Sequence, residues 1–162
     1  MLTERMPILP PRSLVVIDQD ADLTIASMKN VLIAHWRGPS DERNGTRLAN
    51  ALRELAKHNP IGFVCLVEPT SAPPDKSQRV YLTRVVCDLP VQAISTVVRG
   101  NALRRSFATV VLTGMIFLVS NELSTRTQIC SNDRDAATWV ADHLAFAPPR
   151  DELTRAFGYL QV

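Results

Sequence analysis

The sequence predicts an α/β domain in which antiparallel hairpins lead into a mixed β-sheet with a parallel core and about four covering helices. Two observations carry this prediction. Short aliphatic runs lie close together near the amino end, separated by polar turn residues, as is typical of hairpins. After them, apolar runs of strand length alternate with stretches whose apolar residues repeat at helical spacing, as is typical of parallel sheets.

The amino-terminal part is predicted to form an extended arm followed by the hairpins. Pro7, Pro10 and Pro11 favour an arm over residues 1–12, because proline lacks an amide donor. Aspartates and a Lys29-Asn30 pair interrupt the aliphatic runs that follow, and such residues favour turns. The predicted hairpin strands are residues 14–17, 23–27 and 31–36.

The rest of the domain is predicted to alternate between helices and buried strands. Leu48, Leu52 and Leu55 recur at helical spacing, and Ser40 or Asp41 precedes them as a cap. Near-continuous apolar runs of strand length are typical of strands covered on both faces. The predicted helices are 41–58, 75–88, 101–122 and 133–146, the last capped by Ser131 or Asn132, and the predicted strands are 61–67, 91–98 and 127–130.

These elements predict one domain over residues 13–147, with a carboxyl-terminal tail over 148–162. The apolar residues of the tail recur at helical spacing, which favours a short docked helix. The helix over 101–122 is apolar nearly all round and is therefore expected to be buried. Its uncharged run, residues 106–121, is shorter than the roughly 20 apolar residues that a bilayer span needs. We therefore predict no membrane span.

Composition and charge exclude several classes of protein. The net charge is +2, from 18 basic and 16 acidic residues that are interspersed along the chain. Nucleic-acid binding usually requires a basic stripe, so no nucleic-acid partner is predicted. Cys65, Cys87 and Cys130 are odd in number and form no Cys-x-x-Cys pair. We expect reduced cysteines, a buried Cys65 and a cytoplasmic location.

The sequence contains no motif of a known reaction. It has no glycine-rich phosphate loop and no Gly-x-Ser-x-Gly elbow. His35, His58 and His143 lack the spacing of metal ligands, and His35 is expected to be a core or edge histidine with satisfied partners. Alternating aspartates near residue 20 lack the glycine and glutamate of a calcium loop. We therefore predict a non-enzyme with no cofactor and no metal.

Two hydroxyl residues are the candidate site residues. Thr70 and Ser71 lie in the proline-rich loop that follows the strand over 61–67 and precedes a predicted helix. A hydroxyl at this place is favoured as a helix cap. The alternative is a phospho-acceptor, because a phosphate would then sit at a helix amino end. Ser71 is the preferred residue in either role, and Thr70 is the second choice.

The stretch LTIASMKNVLIAHWRGPSDERNGTRLANALREL, residues 23–55, resembles the STAS domain family, the fold of bacterial anti-sigma-factor antagonists. It has that family's hairpin, a strand that ends at glycine, a polar link and a first amphipathic helix. Well-characterised members carry an Asp-Ser-Ser-Gly type motif after the central strand, where a kinase phosphorylates a serine. This chain has EPTSAPPD there, so it resembles a divergent member that lacks the phospho-serine motif.

The resemblance implies a non-enzymatic regulatory or protein-interaction module with a protein partner, which includes the case of a homodimer. The alternative is a small-ligand or lipid-binding domain in which the helix over 101–122 forms a pocket wall. An enzyme of unrecognised type is a third hypothesis. An exposed apolar patch would favour the first function, a large apolar pocket the second, and a cleft with convergent polar groups the third.

Overall fold

The computed structural model describes residues 9–72, 74–100 and 125–161. The predicted fold class is confirmed, since these residues form a mixed sheet with two antiparallel hairpins, parallel strands and covering helices. The helix predicted over 101–122 and most of the predicted arm lie outside the described residues. The strands are β1 (Leu14–Gln19), β2 (Leu23–Met28), β3 (Val31–Trp36), β4 (Ile61–Val67), β5 (Val91–Val98) and β6 (Thr127–Cys130), and the helices are α1 (Glu42–Leu55), α2 (Lys76–Cys87), α3 (Asp133–His143) and α4 (Arg150–Leu160).

The six strands form one sheet in the order β1-β2-β3-β4-β5-β6. β1, β2 and β3 pair antiparallel, whereas β3 to β6 pair parallel. The turn between β2 and β3 has only two residues, because Met28 pairs with Val31. Lys29 takes the left-handed conformation in this turn, with a φ of 51°. Two-residue hairpin loops favour positive φ because it matches the twist of the strands.

The helices α1 and α2 cover one face of the sheet. The apolar stripe of α1, which includes Leu48 and Leu52, packs on Leu32 and Trp36 of β3. Because strand side chains alternate between faces, this face takes every second residue of β3. Of the two predicted caps, Ser40 and Asp41, it is Asp41 that caps α1 by accepting a hydrogen bond from the Asn44 amide.

The helices α3 and α4 cover the opposite face. Val140 of α3 and Phe157 of α4 are fully buried there, against β-strand residues that include Ile33 and Val64. Asn132 caps α3 by accepting from the Asp135 amide. The carboxyl-terminal tail therefore contributes α4 to the hydrophobic core, as a docked helix.

The helix α3 ends earlier than the sequence predicts. It stops at His143 because Leu144 adopts an extended conformation and turns into the buried layer. Phe146 follows in the left-handed region, with a φ of 58°, and its side chain is 93 % exposed. The apolar pattern of the sequence continues through Phe146 and does not reveal this change of backbone direction.

The close packing of α3 on β4 depends on Gly62. A Cβ atom at this position would lie 3.0 Å from Leu144 Cδ2 and 3.1 Å from Val140 Cγ1. We expect Gly62→Val to lower the free energy of unfolding by about 1–3 kcal/mol through overpacking. Gly158→Ala in α4 is the control, since a Cβ there meets nothing within 4 Å. Urea denaturation should show Gly158→Ala unchanged or more stable, and equal losses in both variants would contradict this packing.

Candidate functional site

A cleft of about 830 Å³ lies at the carboxyl ends of the parallel strands. The segments after β4, β5 and β6 form its walls, together with the first turn of α3. In open α/β sheets, ligands bind outside the carboxyl ends of the strands. The cleft is lined by Glu68, Pro69, Val97, Val98, Arg99, Gly100, Ser131, Asn132, Asp133, Arg134 and Asp135.

Alternating charges connect the walls of this cleft. The Arg99 guanidinium donates through Nη2 to Asp133 Oδ1 at 2.7 Å, and its Nε lies 3.6 Å from Glu68 Oε1. Gln161, just after α4, donates to both carboxylate oxygens of Asp133 at 3.2 and 3.3 Å. The charged residues that follow β4 and β5 are therefore linked to the first turn of α3 at the carboxyl edge of the sheet.

His35 extends this chain of polar groups into the interior. Its side chain is buried, and its Nε2 lies 2.9 Å from Glu68 Oε1. The Arg37 guanidinium donates through Nη1 to His35 Nδ1 at 3.0 Å. Because arginine has only donors, Nδ1 must accept. Nε2 therefore carries the proton and donates a hydrogen bond to Glu68. These two neighbours define a neutral tautomer of His35.

Burial lowers the pKa of His35 below its ordinary value, because the charged imidazolium loses its hydration. The positive charge of Arg37 lowers this pKa further, while the hydrogen bond to Glu68 raises it. The sequence predicted a core or edge histidine with satisfied partners, and His35 is buried against Arg37, Glu68 and the Leu160 carbonyl. It did not identify Glu68 as one of them.

Arg37 also connects the cleft to the first hairpin. Its Nη2 donates to the Asp20 carbonyl at 2.6 Å and to Thr24 Oγ1 at 2.9 Å. Its Nε donates to the Ala21 carbonyl at 3.2 Å. One side chain thus ties the turn between β1 and β2 to the end of β3.

Thr70 and Ser71 do not cap α2, contrary to the favoured prediction. Asp75 is the cap, since its side chain accepts a hydrogen bond from the Gln78 amide. Ser71 is buried and donates through Oγ to the Gly38 carbonyl at 2.9 Å. Thr70 is exposed and donates to the Arg37 carbonyl at 2.6 Å. Both hydroxyls therefore join the loop after β4 to the loop after β3, because parallel strands bring these loops together. Phosphorylation of either residue stays a prediction.

The aspartates near residue 20 perform the turn chemistry that the sequence predicts. Asp20 Oδ1 accepts from the amides of Asp22 and Leu23 at 2.9 and 3.0 Å, and these bonds lower the pKa of Asp20. The Arg47 guanidinium bonds to the carboxylates of Asp18 and Asp20 at 2.8 and 2.7 Å. Among the described residues, no group of three or more side chains could hold a metal ion.

The cysteines form no disulfide. Cys65 is half-buried and not fully buried as predicted, whereas Cys130 is buried and Cys87 is exposed. Desolvation raises the pKa of Cys65 to about 12 and that of Cys130 to about 11. High thiol pKa values leave little of the reactive thiolate, so Cys65 and Cys130 are expected to react slowly.

None of the helices in ranges 9–72, 74–100 and 125–161 is long and apolar enough to cross a membrane. No protein-family model matches the sequence, and no curated protein matches it closely enough to count as a relative. The resemblance to the STAS family therefore stays a prediction that rests on the pattern of residues 23–55.

The lowered pKa of His35 predicts acid sensitivity. The folded state binds this proton less readily than the unfolded state, whose histidine titrates near its ordinary pKa of 6.5. The free energy of unfolding should therefore rise with pH between the folded and unfolded pKa values. His35→Gln, which keeps a donor and an acceptor, should remove this slope, whereas the exposed-site control His58→Gln should retain it. Urea titrations at a series of pH values test this, and equal slopes in all three proteins would contradict it.

The hydroxyl of Ser71 is predicted to stabilise the fold. Ser71→Ala leaves the Gly38 carbonyl without this buried donor, which should cost about 1–3 kcal/mol of unfolding free energy. Thr70→Ala should cost less, because Thr70 is exposed and water can replace its hydroxyl. Chemical denaturation of both variants tests the order, and a larger loss for Thr70→Ala would contradict it.

Proposed function

We propose that this chain is a non-enzymatic, STAS-like protein-interaction module that docks a partner protein along β1. The observation that supports this proposal is a row of exposed aliphatic side chains on an edge strand. Val15, Val16 and Ile17 are consecutive in β1 and are 57, 44 and 49 % exposed. Five of the six residues of β1 are exposed, in contrast to the neighbouring β2, which is almost entirely buried.

The position of β1 makes these side chains available to a partner. β1 is the first strand of the sheet and pairs only with β2 among the strands that the structure describes. The outer edge of such a strand presents backbone donors and acceptors to which an extended segment can add. Single exposed aliphatic residues are ordinary, but a consecutive group at a sheet edge is typical of interaction sites.

The two ends of β1 differ in their suitability for strand addition. The pairing of β1 with β2 shifts register between Val16 and Asp18, which marks a bulge. A bulge bends the strand and interrupts a regular edge. A docked strand would therefore pair with the half of β1 that begins at Leu14. The hydrogen bond and ion pair from Arg47 to Asp18 hold the other half against α1.

A second candidate function is the binding of a polar small ligand in the cleft at the carboxyl ends of the strands. Its lining favours this candidate, because Glu68, Arg99 and Asp133 converge there and the exposed Arg134 lies beside them. Pro69, Val97 and Val98 line the same cleft, so its lining is mixed, and a lipid ligand stays a prediction. The interaction module is preferred because the cleft charges of Glu68, Arg99 and Asp133 are already engaged with one another.

The test of the interaction module is a matched pair of lysine substitutions. Val16→Lys places a charge on the docking edge, whereas Val80→Lys places the same charge on α2, where Val80 is 37 % exposed. Both sites are partly exposed, so each variant should keep its unfolding free energy within about 0.5 kcal/mol. We expect Val16→Lys alone to lose the proteins that co-purify with the tagged wild-type chain.

A homodimer is tested with the same two variants. Light scattering on a size-exclusion column measures the mass in solution, and a dimer through β1 should dissociate only in Val16→Lys. If both lysine variants keep every partner and the wild-type mass while remaining folded, the proposal that β1 is the docking strand fails.

A further inference from the structure

His35 lies where hydrogen-bonding groups of several elements meet. Arg37 faces it from the end of β3, Glu68 from the end of β4, and the Leu160 carbonyl from α4. Thr24 is its register partner on β2 and accepts a hydrogen bond from Arg37. Arg99 and Asp133 continue the chain of charged groups beyond Glu68.

The contact with Arg37 exists only while His35 is neutral. A neutral imidazole has one donor and one acceptor, whereas an imidazolium has two donors. Arg37 Nη1 donates to His35 Nδ1, and a guanidinium cannot accept in return. A proton on Nδ1 would therefore bring two donors and two positive charges together, and the side chains would have to separate.

The same guanidinium helps to hold the turn between β1 and β2, together with the backbone amides of Arg37 and Gly38, which donate to the Asp22 carbonyl. It donates to the carbonyls of Asp20 and Ala21 in addition to His35. We propose that protonation of His35 is an acid-operated release, in which the Arg37 side chain leaves Nδ1 and loosens its hold on the β1–β2 turn. The proton comes from solvent and binds Nδ1, while Nε2 keeps its own proton and its bond to Glu68.

Two opposing charges set the pH of the release. The Glu68 carboxylate favours the imidazolium, and Arg37 together with burial disfavours it. Removing the Glu68 charge should therefore lower the pH at which His35 titrates, and removing the Arg37 charge should raise it. These opposite shifts distinguish an electrostatic effect from simple loss of packing. Loss of packing would destabilise the chain without a defined change in the pH midpoint of His35.

The release goes beyond the proposed docking function and does not depend on it. β1 is the strand whose end the release would loosen, so acid would act at the edge proposed for docking. The chemistry of His35 can nevertheless be measured on the isolated chain without a partner. Failure of the docking experiment therefore leaves the release intact, and failure of the release leaves docking intact.

The experiment is a pH titration of the ¹⁵N-labelled full chain by NMR. Long-range ¹H–¹⁵N correlations report which nitrogen of His35 carries the proton. Hydrogen exchange, expressed as protection relative to the free peptide, reports on the turn through the amides of Asp22 and Leu23, which donate to Asp20 Oδ1. The proteins compared are the wild type, Arg37→Gln, Glu68→Gln, His35→Gln and the control His58→Gln.

We expect Nδ1 of His35 to be unprotonated at neutral pH and turn protection to fall as His35 titrates. Arg37→Gln should raise the midpoint and Glu68→Gln should lower it, each by about 1 pH unit. His58→Gln should behave as the wild type, and His35→Gln should show no step in turn protection. If Arg37→Gln does not fold, Glu68→Gln and His35→Gln still test the proposal.

Several results would overturn the release. These are a protonated Nδ1 at neutral pH, titration of His35 without a change at the turn, and a step in turn protection that persists in His35→Gln. Unfolding of the whole domain before His35 titrates would also overturn it, because no local release would then exist.

Discussion

The parallel pairing of β3 with β4 determines how His35, Glu68 and the hydroxyls of Thr70 and Ser71 lie relative to one another and to the loop after β3. This register places His35 opposite Leu66, so Glu68 follows two residues later on the same face. It also brings together the loops that follow the two strands. The Glu68 amide donates to the Trp36 carbonyl, and Ser71 and Thr70 donate to the carbonyls of Gly38 and Arg37. A single strand pairing thus organises the carboxyl edge of the sheet.

The chain of polar groups at this edge is arranged to limit the cost of burying charge. Isolated buried charges are unfavourable unless they are paired and hydrogen-bonded. The deepest member, His35, accepts from Arg37 through Nδ1, while Glu68, Arg99 and Asp133 keep partial contact with solvent. A proton on His35 would place a charge at the least hydrated position. This is the physical reason for acid sensitivity at this place.

The two candidate surfaces lie in different parts of the same sheet. β1 is one edge strand and exposes aliphatic side chains, whereas the cleft lies at the ends of β4, β5 and β6 and is lined by charges. Arg37 is the link between them, because it contacts both His35 and the β1–β2 turn. The exposed aliphatic side chains of β1 and the polar groups around His35 therefore share no residue.

The sequence by itself determined the order of the described strands and helices and the bounds of the parallel strands, because apolar periodicity, prolines and capping residues are local signals. β3, β4, β5 and β6 have the bounds that the apolar runs predict, and Asp41 and Asn132 cap the helices expected. Only the tertiary structure decided the partner of His35, the role of Ser71 and the end of α3. Those outcomes depend on residues that are distant in the chain and meet through strand register and packing, which no local pattern encodes.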